Sequence, residues 1–443
     1  MNRISVVQQQ HSEVVKTMKS ETWFRPEAFE LLQYFYGTVH EPLVHAYIAF
    51  SGRLDEAALC RAVEASVKAI PLLFCVFDAS GRRPRWRRRD FSGADAVKVV
   101  FADPTNVEKI ADALLTEKLD FSAEPQVKLN ILRAGDTDRL CVIASHLLCD
   151  ASGLKQYLAL LGTLYAAETG GAPVHPFETN LRKTRALFAG FSLREKLSIL
   201  ASRYDAGAQK HTPVLALAGD PSNPRIITRT IPPEEFAVIK AFSRSNGASV
   251  NDALLSAYLR VLSRTCGERM LTIPCPVDLR KYLPKSGGTS ICNMTTNLFC
   301  SVAVISSDNY LDTLKQVAQQ MSAQKTSPSC LKSVVSLETA FRVLPFPMLK
   351  KEFPYYFTMP KLSYTNLGIL EKEILRFGEV QAVDAFMTGA IKHSPYFQIA
   401  VSTFENTLTL SCNLYAADQS VQTIESFLYD LQTELISGCR AER

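Results

Sequence analysis

No two cysteines of this 443-residue chain are spaced as Cys-x-x-Cys; its eleven cysteines stand singly, and the nearest neighbours, Cys141 with Cys149 and Cys292 with Cys300, lie eight apart. That spacing speaks against a zinc knuckle, a thioredoxin-like redox motif and a disulfide framework, and leaves buried, reduced thiols as the ordinary reading. No stretch approaches the roughly 20 consecutive apolar residues of a membrane span. The opening MNRISVVQQQHSEVVKTMKSETWF lacks the apolar core of a signal peptide, so the chain reads as cytoplasmic. No Gly-x-Gly-x-x-Gly opens a helix after a strand, which argues against a doubly wound dinucleotide fold. An excess of one charge sign is also missing. The formal net charge is +5, but GRRPRWRRRD places six arginines between Arg82 and Arg89, and subtracting those six from +5 leaves −1. The protein has one basic spot and is otherwise balanced.

What is present describes a folded protein of more than one domain: 47% hydrophobic and 21% charged residues, with 22 prolines spread along the chain. The division expected is a first domain over residues 1–180, a crossover with one helix over 181–224, and a second domain over 225–443. In the first, a helix over Ala28 to Tyr36 precedes a strand at LVHAYIAFSG. RLDEAALCRAVEASVKAIP then puts Leu59, Ala62, Val63, Val67 and Ile70 on one helical face, with Asp55 as N-cap and Pro71 as stop. LLFCVFDASGRRPRWRRRD reads as two strands turning at Ser80-Gly81. A helix near Val107 to Lys118 leads to strands QVKLNILRAG and RLCVIASH, and to the helix ASGLKQYLALLGTLYAAETGG. One helical segment near Ser192 to Tyr204 marks the crossover. The second domain has a helix from Pro233 to about Asn246, a helix after the N-cap Ser249, and strands at LTIPCPVDL, LFCSVAVIS and KLSYTNLGIL. A hairpin around Glu405-Asn406 and a last helix from Gln419 to Ile436 complete it. The mixture implies packed α/β layers, an α+β sandwich in each half.

The stretch that carries chemistry is Ala144 to Gly153, ASHLLCDASG. His146 ends a strand, and the chain turns at once into a helix, a position at the lip of a sheet where side chains face clefts. A histidine hydrogen-bonded inside a core and an aspartate serving as N-cap are the bland alternatives for His146 and Asp150, and Ser152 shares the capping pattern. DASG also occurs at Asp78 to Gly81, so four letters alone decide nothing. A general base must stay neutral and keep one ring nitrogen free, so something must hold the other. Cys149 lies in an apolar run, a poor setting for a thiolate nucleophile, and no further cluster completes a metal site, so none is expected.

The segment resembles the His-x-x-x-Asp-Gly signature of the chloramphenicol acetyltransferase-like acyltransferases, the superfamily that includes condensation domains, BAHD acyltransferases and alcohol acetyltransferase-like proteins. Three further stretches follow in that superfamily's order: GRLDEAALCRAVEASVKAIPLL, ASVNDALLSAYLRVL with PVDLRKYLP, and YTNLG. The resemblance runs from about Phe29 to Leu435. It implies two chloramphenicol acetyltransferase-like domains forming a V-shaped pseudo-dimer with a tunnel between them. It also implies acyl transfer from a thioester to a hydroxyl or amine. His146 would be the general base and Asp150 the residue that organises its loop. The implied donor is acyl-CoA or a phosphopantetheine-bound acyl group, with no tightly bound cofactor. The implied partners are a small alcohol or amine and an acyl carrier protein. Thr365, Asn366 and the backbone near Gly368 are the candidates for substrate and oxyanion contacts.

The chain departs from the family in three places. Ser145 stands where condensation domains carry a first histidine. Ala151 follows the aspartate, with a glycine only at Gly153. Phe74 occupies the place of an arginine that pairs with the motif aspartate in several relatives, which leaves Arg280 of VDLR as the substitute partner for Asp150. Two other functions stay open for the chain: a non-catalytic docking or scaffold module, and a nucleic-acid binder using Arg82 to Arg89 with Trp86 stacking on a base. For the arginines the competing readings are a solvated edge strand and an anion-docking surface.

Overall fold

The computed structural model describes residues 23–170, 181–202, 214–284, 290–305, 309–356 and 359–441. Two sheets organise the molecule. The first has five strands in the order β12 (Ala382–Thr388), β2 (Leu43–Phe50), β7 (Thr137–Ser145), β6 (Val127–Ala134) and β5 (Val97–Phe101). The second has four: β11 (Leu362–Leu370), β13 (Phe397–Phe404), β14 (Thr407–Tyr415) and β8 (Pro224–Ile231). A long antiparallel pair, β9 (Met270–Asp278) with β10 (Thr295–Ala303), and a small sheet β1 (Trp23–Phe24), β4 (Arg85–Arg88), β3 (Cys75–Asp78) complete the strands.

Along β2 and β7 nearly every side chain is buried, because both faces of the first sheet are covered. On one face lie α2 (Glu56–Ser66) and α4 (Ala151–Glu168), whose stripes of Ala58, Leu59, Ala62 and Val63 and of Leu154, Tyr157, Leu158 and Leu161 meet Val44, Ala46, Val142 and Ala144. The other face receives α3 (Val107–Leu115), where Val107, Ala111 and Leu114 join Tyr47, Leu132, Cys141 and Ile226 of the second half. Caps set the starts: Asp55 accepts from the Ala58 N–H at 2.8 Å, and Ser249 and Asp252 form a reciprocal capping box at the head of α7 (Val250–Cys266). The second core gathers α7 with α6 (Pro233–Ser245), α8 (Tyr310–Thr326), α9 (Leu331–Val343) and α11 (Asp418–Ala441). α1 (Ala28–Tyr36) and α10 (Phe346–Tyr356) meet through Phe35, Phe346 and Phe353, while α5 (Leu193–Ala201) lies on the crossover. No helix among the described residues is long and apolar enough to cross a membrane.

β11 and β13 are parallel neighbours, which obliges the chain to leave the second sheet and return. It spends that excursion on β12, which pairs antiparallel with β2 at the edge of the first sheet. The two sheets therefore do not follow a contiguous division of the sequence. A second stitch comes just after: the Glu41 N–H donates to Ile391 and the His393 N–H to Val39, while Lys392 exchanges backbone bonds with Asn413 and Tyr415 of β14, all at 2.9 Å.

Around the arginine run two expectations are overturned. β4 is the middle strand of its sheet, paired with β1 on one side and β3 on the other, so the arginines do not block a free edge. Trp86 is fully buried and donates its indole N–H to Glu30 at 2.7 Å, because the strand alternation that exposes Arg85 and Arg87 turns Trp86 inward; it offers no face to a base. β8, β12 and the helices between Tyr310 and Tyr356 also go beyond the elements read from the sequence.

Candidate active site

β7 delivers the chain to the site and ends in a tight turn. The His146 N–H donates to the Pro42 carbonyl at 2.6 Å, the Leu148 N–H returns to Ser145 at 2.9 Å, and Leu147 and Leu148 anchor the turn in the first core. The imidazole of His146 keeps partial contact with the surface although it is densely surrounded.

Asn293, on the far side of the sequence, decides how that ring is used. Its amide nitrogen donates to the carbonyls of His146 and Leu147 at 2.8 and 3.2 Å, and this fixes the orientation of the amide. Its oxygen therefore faces Nδ1 of His146 at 3.1 Å and can only accept. Nδ1 must carry the proton, which leaves the lone pair on Nε2. Nε2 has no hydrogen-bond partner among the described residues. It is also not among the sealed, unpartnered atoms, which include Nε2 of both His40 and His45. Burial pushes the His146 pKa below 6.5; the Asp150 charge and the bond to Asn293 oppose the shift, and Lys392 adds to it. The ring is thus a neutral imidazole near pH 7 with its open nitrogen reachable, the state a general base requires.

Asp150 makes no hydrogen bond to the ring and reaches it only through its charge. It is buried, and its carboxylate accepts five hydrogen bonds: from the Gly153 N–H at 2.8 Å as the N-cap of α4, from Arg280 at 2.9 and 3.1 Å, and from the Met294 N–H and the Thr295 hydroxyl at 2.8 Å each. Burial alone would raise its pKa, but Arg280 and these donors hold it below the usual carboxylate value. Arg280 is a bidentate partner that also binds the Ser290 and Cys292 carbonyls at 2.8 and 2.7 Å. One guanidinium thus ties the Asp150 turn to the segment that presents Asn293.

Gly153 allows the two to meet. A Cβ there would lie 2.8 Å from Cys149 Cβ and 3.0 Å from the Cys292 carbonyl oxygen, so the first turn of α4 could not press against that segment. The close approach is made three residues after the aspartate, not one. Cys149 is buried and its thiol is pushed far up by burial first and by Asp150 next, which removes it as a nucleophile.

The stretch Thr365 to Gly368 is placed differently. Asn366 is exposed, donates to Asn251 at 3.0 Å and accepts from the Gly368 N–H at 2.9 Å, shaping a bulge in β11 where Gly368 takes φ +81°. The Gly368 N–H is taken up by this bond, while the exposed Asn366 amide keeps a second N–H. Thr365 is half-buried and its hydroxyl has no partner among the described residues. No hydrogen bond joins any of the three to His146. Asn293 was not singled out in the sequence; the available signal was one amide inside the buried run Ser290 to Met294.

The sequence matches no protein-family model and no curated protein. Solved structures do resemble it over nearly its whole length. SgcC5 of Streptomyces globisporus superposes with a TM-score of 0.69 at 15% identity, covering 94% of this chain and 99% of that one. Polyketide synthase associated protein 5 of Mycobacterium tuberculosis gives 0.66 at 17% identity, covering 93% and 97%. The first condensation domain of the CDA synthetase gives 0.64 at 16% identity, covering 95% and 97%. The chain therefore has the chloramphenicol acetyltransferase-like fold of condensation and epimerization domains.

Proposed function

We propose that the chain transfers an acyl group from a thioester to a hydroxyl or amine, with Nε2 of His146 as the base. The acceptor X–H binds against Nε2, which takes its proton as X attacks the thioester carbonyl. The C–S bond then breaks, and the imidazolium returns the proton to the departing thiolate, so the ring ends neutral. No covalent acyl-enzyme is required. The free hydroxyl of Thr365 is the candidate donor to the tetrahedral oxyanion. The donor is an acyl-CoA or an acyl group on a carrier protein; likeness to condensation domains supports the second source.

The observation that carries this reading is the fixed tautomer of His146: Nδ1 engaged by an acceptor, Nε2 open. The test is a thiol-release screen of acyl-CoAs and an acylated carrier protein against alcohols and amines. Acceptor-dependent release that disappears in His146→Ala supports the assignment. Tight carrier-protein binding with no release from any donor makes the chain a docking module instead.

A further inference from the structure

Outside the His146 site, four separate segments converge on a cleft of about 460 Å³, a volume within the range of small-ligand sites. None of its lining residues belongs to the assembly around His146. Six basic side chains line it: Arg25, Arg83, Arg85, Lys183, Arg185 and Arg342. Two acids face them. Glu338 pairs with Arg342 at 3.6 Å, and the Glu27 carboxyl is half-buried, its pKa raised by burial against the pull of Arg182 and Lys183. Arg25, Arg83, Lys183 and Arg185 form no ion pair among the described residues. Six basic side chains against two acids leave the concavity with an excess of positive charge, which an anion would offset. The guanidinium forks suit phosphate oxygens.

The cleft also has a flat, apolar element. Trp23 is 48% exposed, and Arg85 lies 4.9 Å over its ring. An exposed indole with a guanidinium on it, beside unpaired arginines, matches a ligand that is aromatic at one end and anionic at the other.

We propose that this cleft binds a nucleotide, its ring on Trp23 and its phosphates on Arg83, Lys183 and Arg185. The ligand is a free nucleotide or the nucleotide end of coenzyme A, which share this chemistry. The inference does not depend on acyl transfer by His146.

The chain offers its own probe, because its two tryptophans are Trp23 in the cleft and the buried Trp86. Titration of the full chain with adenosine 3′,5′-diphosphate should quench tryptophan fluorescence saturably with a Kd of about 1 mM or tighter. Trp23→Phe should abolish the quench. The pair Arg83→Gln and Arg185→Gln, both at exposed positions, should weaken binding about tenfold or more with an unchanged melting temperature. His146→Ala should bind as the wild type does. Coenzyme A binding more tightly than the diphosphate identifies the donor as the source; equal or weaker binding identifies a free nucleotide. The inference is overturned by no saturable quench, by binding unchanged in the double arginine variant, by equal binding of adenosine without phosphates, or by affinity for oligo-dT that grows with its length, the mark of an extended nucleic-acid surface.

Discussion

The Nδ1–H of His146 donates to Oδ1 of Asn293 across 3.1 Å, and the amide is held in that orientation by the backbone of the very turn that carries the histidine. A residue 147 positions away thus chooses the tautomer of the proposed base. Asn293→Ala should leave the fold intact and lower the acyl-transfer rate about tenfold or more, since the ring loses its fixed orientation. Asn293→Asp should act differently. A carboxylate facing Nδ1 favours the imidazolium, so the inflection of the pH–rate profile should move up by about one unit or more. An unshifted inflection in the aspartate variant would count against the geometry.

Asp150 and Arg280 form a buried ion pair with side chains 6% and 12% exposed. Removing either partner strands a charge, and Asp150→Ala or Arg280→Ala should cost about 3–5 kcal/mol in urea unfolding. Because the folded Asp150 carboxyl titrates below its unfolded value, its contribution is present above the unfolded pKa and is lost as the pH falls through the folded one. Both variants should therefore show a weaker pH dependence of stability below about pH 4 than the wild type. Arg280→Ala should also lower activity through Asn293, whose segment it clamps.

Gly153→Ala brings a methyl within 2.8 Å of Cys149 Cβ and 3.1 Å of the Cys292 amide nitrogen. Backbone on one side cannot yield cheaply, so the variant should lose about 1–3 kcal/mol despite the better helix propensity of alanine. Thermal unfolding checks this, and a stabilised Gly153→Ala would contradict the packing described.

Lys392 is buried at the seam between the sheets, its Nζ 3.2 Å from His40 Nδ1, and burial brings its pKa from 10.5 down to about 7. Between those two values the unfolded chain holds a proton on Lys392 that the folded chain lacks, so the contribution of this one group to stability should rise as pH goes from 7 toward 10, read as the difference between wild type and variant. Lys392→Met should flatten that rise and raise stability at pH 7. Denaturant midpoints at pH 7 and 9.5 measure both effects.

Much of the fold was legible where local signals agree with packing. The alternation in YFQIAVSTFENTLTLSCNLY with Glu405-Asn406 between gives the β13–β14 hairpin, and both turn residues adopt positive φ, 45° and 65°, as such a turn demands. The caps Asp55 and Ser249 sit at their helix starts for the same reason. β12 escaped because its bulge between Ala382 and Asp384 breaks the alternation, and because its partner β2 lies more than 300 residues earlier. The helices after Tyr310 were missed because polar runs such as KQVAQQMSAQK show little periodic contrast. At the site, His146 and Asp150 were visible as a spacing. Asn293 was not, since a contact between distant loops leaves no local pattern.

Proton removal from the acceptor by a neutral His146, held by Asn293, is tested by the single-turnover rate of acyl transfer as a function of pH in the wild type and in His146→Ala. The wild-type rate should rise with pH through an inflection below 6.5 and then level off, and His146→Ala should be slower by roughly 10²–10⁴ with that inflection gone. A folded His146→Ala variant that transfers acyl groups at the wild-type rate, with the same pH profile, would contradict the account.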